Sequence, residues 1–164
     1  MTTPISSMPA AIAVWALARD GKLDLADLRG WQQTISQQKL VFDDLTGIMW
    51  GGTDGRVVWL FHYPGQENME FGVRDDQTDE KVHYFSVDSQ KGRMDEQRTG
   101  EYDFDPRVRP WYLAGIEAGK PAWSPPYTYL HEELAKVTKG LLCRCACSFG
   151  HVCLLALLQV TLSA

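Results

Sequence analysis

Between Thr46 and Tyr63 the order of residues admits one local structure, a tight antiparallel hairpin. Thr46–Trp50 is apolar, and Gly51-Gly52-Thr53-Asp54-Gly55 puts glycines where a reversing backbone needs unusual dihedral angles. Arg56–Tyr63 then alternates, with Val57, Trp59 and Phe61 on one side. A lone hairpin is marginal in water, so the chain must supply more strands or a helix to cover it. It supplies both. Val82–Val87 alternates in the same way, and Met69–Val73 suits a short edge strand. Asp24–Leu40 places Leu25, Leu28, Trp31 and Ile35 at helical spacing, with the stem of Lys39 near the same face and Gly30 as a weak point. Pro9–Ala18, apolar and rich in small residues, suits a helix packed on the sheet.

The remaining segments read as connections. Ser89–Arg98 is a polar link, and Asp75–Lys81 is a solvated loop whose acids lack the regular oxygen spacing of a calcium site. Pro125 and Pro126 exclude helix from Ala122–Leu130, which is extended, and Leu134–Thr138 begins a further strand. The expected fold class is α+β: an N-terminal helical or irregular segment at 1–21, a sheet-containing domain at 22–139, and a compositionally different tail at 140–164.

With 164 residues, 45% hydrophobic and 23% charged, the composition is that of one globular domain. A net charge of −5 argues against nucleic acid as a partner. Catalysis finds little support. His62, His83 and His131 are dispersed, and no Ser or Cys stands in a nucleophile motif. Gly51-Gly52 follows no phosphate-loop pattern, and no cofactor is implied.

The densest chemistry lies in Phe104–Tyr127, FDPRVRPWYLAGIEAGKPAWSPPY. Pro106 and Pro110 fix the backbone on either side of Arg107-Val108-Arg109, and Pro110 suits the first position of a helix that can stop at Gly119. Arg109 is thereby held beside a helix N-terminus, followed at once by the indole N–H of Trp111 and the phenol of Tyr112. That concentration of donors suits a small anion, held and not transformed. Arg107, on the opposite side of an extended segment, is expected to pair with Glu101, Asp103 or Asp105.

Arg107-x-Arg109-Pro110-Trp111-Tyr112, followed by Trp123-Ser124-x-x-Tyr127, resembles the signature of Cache sensor domains. The likeness is to the membrane-distal module of the double Cache type, strongest over Tyr102–Tyr129 and weaker back to about Leu40. It implies a PAS-like antiparallel sheet serving as the extracytoplasmic ligand-binding domain of a chemoreceptor, histidine kinase or nucleotide cyclase. Its partner would be a small molecule, with homodimerisation as a further option. In the amino-acid-binding subset, the positions of Arg109, Trp111, Tyr112 and Tyr127 contact ligand, the first two holding its carboxylate. Two departures stand out. Phe104 replaces a usual tyrosine, and Tyr129 replaces an acid that would neutralise an ammonium. The expected ligand is therefore a small carboxylate or an amino-acid-like metabolite. The alternative is a non-sensing interaction module of the kind found in Cache-containing channel subunits, or a non-functional fragment.

After Lys139 the resemblance implies a strand, a glycine turn and a second strand, whereas the chain reads GLLCRCACSFGHVCLLALLQVTLSA. The tail either replaces those strands, marks a truncated module, or forms a C-terminal membrane anchor over Cys145–Ala164. No export signal is evident, which suggests a fragment or an incomplete gene model; membrane association would then come from missing segments or from the tail. All four cysteines, Cys143, Cys145, Cys147 and Cys153, lie here. With His151 they are a weak zinc alternative, since the spacing is not that of paired structural ligands.

Overall fold

The hairpin forms as its residues dictate. Strand β1 (Leu45–Gly52) pairs antiparallel with β2 (Val57–Phe61), and Gly51 stands opposite Val57. The Asp54 carboxylate accepts from the Arg56 backbone N–H at 3.0 Å, and Gly55 closes the reversal at φ +88°, where a Cβ would clash with the backbone. The computed structural model describes residues 13, 14, 16–18, 20–41, 45–63, 65–92, 94–100, 105–119, 141–147 and 152–159. At 45, 96–98, 141–147 and 152–159 the description is of the backbone.

Beyond the hairpin the chain adds β3 (Met69–Arg74), β4 (Val82–Val87) and β5 (Met94–Gly100), each antiparallel to its predecessor. Two further strands, β6 (Leu141–Cys147) and β7 (Val152–Gln159), form a second hairpin that docks β7 on the free edge of β1. The result is one seven-stranded sheet ordered β5-β4-β3-β2-β1-β7-β6. Helices α1 (Gln32–Val41) and α2 (Pro110–Ala118) complete an α+β arrangement.

Three expectations need correction. Met69–Val73 is not an edge strand, because β3 pairs on both sides. Ser89–Arg98 is not merely a link: its second half is β5, polar in sequence because it edges the sheet. The helix read from Asp24 begins only at Gln32, after turns and a short 3-10 segment at Arg29–Trp31, and Leu25 is exposed. Gly30 stands where the helix fails, and Asp24 and Asp27 accept backbone N–H bonds that favour turns there. The tail forms two strands, the first of the three options its sequence left open. Among the described residues no helix is long and apolar enough to cross a membrane.

The central strands β1 to β4 bury side chains on both faces. One carries Ile48, Trp50, Val58, Leu60, Met69, Phe71, Val73, Phe85 and Val87 against Leu28, Trp31 and Ile35. Val14 and Ala18 join this layer, so the described part of Pro9–Ala18 does pack as a helix on the sheet. Lys39 lies buried along α1, as its aliphatic stem allows. The other face carries Met49, Val57, Trp59, Phe61 and Tyr84, also buried. Strand β2 is thus buried at every residue. The alternation seen in its sequence is real, but it divides two apolar faces, not core from solvent.

Asp75–Lys81 is a solvated loop, as expected, held by one buried residue. Thr78 is buried; its hydroxyl donates to the Asp75 carbonyl at 2.9 Å and accepts from the Asp75 N–H at 3.0 Å.

Candidate functional site

The proline-rich motif takes up the geometry its residues predict. Pro106–Val108 is a 3-10 turn, and Pro110 opens α2 at the position where its missing N–H has no intrahelical acceptor. Gly119 ends the helix in the left-handed region at φ 58°. Arg109 is the N-cap residue; its carbonyl accepts from the Leu113 N–H at 3.0 Å. The Arg109 side chain is half-buried.

What seats this unit on the sheet is Gly51. A Cβ there would lie 2.7 Å from the Pro106 side chain and 3.1 Å from the Trp111 ring, so only glycine lets the motif approach β1 so closely. Sequence reading took Gly51 for a turn residue and missed this second role. Trp111 is fully buried, with its ring 5.7 Å from that of Tyr112 in an edge-on arrangement. Its indole N–H is buried without a hydrogen-bond partner among the described residues. Burial also pushes the Tyr112 phenol above its ordinary pKa, so it stays a neutral donor. From Trp111 the helix runs out over β6 and β7, while its outer side exposes Leu113 and Ile116.

Arg107 has the structural role expected of it. Its guanidinium donates to Asp105 from Nη2 at 2.8 Å and from Nε at 2.9 Å, and from Nη1 to the Thr53 carbonyl at 3.4 Å. The motif is thereby tied to the tip of the first hairpin. The Arg107 guanidinium holds the Asp105 carboxyl below its ordinary pKa. A carboxyl lowered on folding stabilises the fold at pH values above its unfolded pKa of about 3.9. That contribution disappears as pH falls through the folded value. Asp105→Asn should therefore flatten the acid limb of the stability profile below about pH 4, as read by urea unfolding at pH 3 and pH 6. An unchanged limb would remove Asp105 from the tether.

Two other arrangements bear on function. On the face that carries Trp59, the Glu70 carboxylate accepts from the Trp59 indole at 3.4 Å and from the Tyr63 hydroxyl at 3.3 Å. No sequence signal marked this acid, because the residues meet only through strand register. Beside the tip of the first hairpin lies an open cleft of about 380 Å³ lined by Leu25, Ala26, Asp54, Arg56, Asp75, Asp76 and Gln77. Arg56 is engaged there, donating to Asp54 at 2.7 Å and to the Leu25 carbonyl. Burial would raise the Asp54 pKa, yet the hydrogen bonds from the Arg56 backbone and guanidinium outweigh it and the pKa is lowered.

The structure thus brings Arg109, Trp111 and Tyr112 together at the start of α2. Phe104, Tyr127 and Tyr129 lie outside the described residues, as do Glu101, Asp103 and Trp123. Cys143, Cys145, Cys147 and Cys153 fall on β6 and β7. Comparison with protein-family models, with curated proteins and with solved structures finds no match.

Proposed function

We propose that this chain is a small-molecule-binding sensory domain of the Cache type, and that it holds the negative end of a carboxylate ligand at the start of α2. The observation that carries this reading is Trp111: a fully buried indole N–H without an acceptor among the described residues, two residues from the half-buried Arg109 and in the first turn of a helix. A buried donor left unpaired costs about 1–3 kcal/mol, and a ligand oxygen would recover that cost. The tail supports the reading too, since β6 and β7 stand where the resemblance implies two strands. Trp50 also has an indole N–H without a partner among the described residues, but it belongs to the helix-covered core, on the other face of the sheet.

The expected result is a thermal shift with one class among a panel of small carboxylates and amino acids. Trp111→Phe should leave the ligand-free protein about as stable, because it removes an unsatisfied donor while keeping a ring. The same variant should weaken ligand affinity roughly tenfold or more, the worth of a charge-assisted hydrogen bond. Arg109→Ala should abolish the shift. A Trp111→Phe protein with undiminished ligand response would overturn the assignment.

One observation favours a second reading, a protein-interaction module. Val108, Leu113 and Ile116 are 66%, 54% and 45% exposed around the same helix. In that case no carboxylate shifts the melting temperature, and Leu113→Asp disrupts binding to a protein partner.

A further inference from the structure

Register, not sequence spacing, singles out one pair among the four cysteines. Along β6, Cys143 stands opposite Leu157 and Cys145 opposite Leu155, whereas Cys147 stands opposite Cys153. Directly opposed residues in antiparallel strands have Cα atoms about 4.5–5.5 Å apart, inside the window of about 4.4–6.8 Å that a disulfide requires. Neighbours two apart on one strand, such as Cys145 and Cys147, are separated by about 6.8 Å, at the limit of that window. From this juxtaposition we infer that Cys147 and Cys153 form a dithiol–disulfide site that fastens the β6–β7 hairpin.

Its position gives the site a consequence for the fold. Cys153 is also the register partner of Gly51, the glycine over which Pro106 and Trp111 lie. Strand β6 ends the sheet and is the strand over which α2 packs, so a covalent link to β7 secures the free edge beneath that helix. The link would hold the hairpin whether or not a ligand binds at α2.

The reaction is exchange with a small symmetrical disulfide such as oxidised glutathione. The thiolate of one cysteine attacks a reagent sulfur, forming a mixed disulfide and releasing one reagent thiol. The second cysteine, deprotonated, attacks the protein sulfur of that mixed disulfide and releases the second thiol. Two protein S–H protons are lost, and two electrons reduce one reagent disulfide to two thiols.

The test uses the full chain and a Cys143→Ser/Cys145→Ser variant, equilibrated with reduced and oxidised glutathione over a range of ratios. Thiols are then trapped by alkylation and counted by mass. In the double variant both remaining cysteines should be protected together in one transition, with a mass loss of about two hydrogens and no adduct. In the full chain, non-reducing peptide mapping should find the 147–153 link in preference to any other. Cys147→Ser in the full chain should abolish intramolecular oxidation at the ratios that oxidise the parent. Persistent glutathione adducts, dimers joined between chains, or equally ready oxidation of Cys147→Ser through Cys143 or Cys145 would overturn the assignment.

Discussion

Trp31→Ala should lower the unfolding free energy by about 3–5 kcal/mol, as expected for removing a buried tryptophan. Few substitutions in this chain should cost more. Trp31 is 1% exposed and sits in the 3-10 turn that leads into α1, between helix and sheet. Its ring lies 5.3 Å from that of Trp50 on β1. Its indole N–H donates to the Asp24 carbonyl at 2.7 Å, which holds the preceding turn in place. The truncation therefore removes packing, a hydrogen bond and the junction of two layers at once. Domains of this size have a total stability of about 5–15 kcal/mol, so the urea midpoint should fall sharply while the slope of the transition is kept. Trp31→Phe, which keeps a ring and loses the N–H, should cost less than half as much. A loss below about 1 kcal/mol for Trp31→Ala would mean that the helical layer does not bear on the sheet.

The second large effect is expected at Gly72, which sequence reading passed over. Trp59 on β2 is its register partner, and the indole lies flat across it. A Cβ on residue 72 would come within 2.2 Å of the Trp59 ring. Nor can the ring easily retreat, for Trp59 is 1% exposed and its ring meets that of Tyr84 edge-on at 5.8 Å. Replacing a strand glycine by alanine ordinarily gains about 0.5–1 kcal/mol from backbone entropy. Here overpacking, at about 1–3 kcal/mol or more, opposes that gain and wins. Gly72→Ala should thus be destabilising and should alter the near-ultraviolet dichroism of the aromatic cluster. In the Trp59→Leu background the same change should be nearly neutral, a coupling of at least about 1 kcal/mol. Additive effects of the two changes would show that the indole does not depend on the glycine. Gly47 repeats the device beneath Phe61, whose ring edge would lie 2.0 Å from an added Cβ.

These glycines show where reading a sequence stops. The hairpin turn, Pro110 at the helix start, Gly119 at its end and the Arg107–Asp105 tie were all legible, because each depends on residues within a few positions of one another. Gly47 and Gly72 were not. Their role depends on which aromatic stands opposite, and that follows from strand register. The same holds for Glu70 beneath Trp59 and Tyr63, and for Gly51 beneath Trp111. Strand β5 was hidden for a different reason. An edge strand has less need of apolar residues, so Met94–Gly100 resembles a loop in composition.

Of the candidate site, its proximal half was readable: a rigid run from Pro106 to Tyr112 that places a guanidinium and an indole at a helix start. That much is local backbone chemistry, in which proline fixes φ and removes a donor whatever the rest of the chain does. Neighbours in space are another matter. That Trp111 is sealed against Gly51, that Val57, Trp59 and Phe61 are buried and not exposed, and that β7 docks on β1 follow from contacts between segments separated in the chain. Each such pairing gains its free energy only when distant segments close on one another, so no window of neighbouring residues contains it.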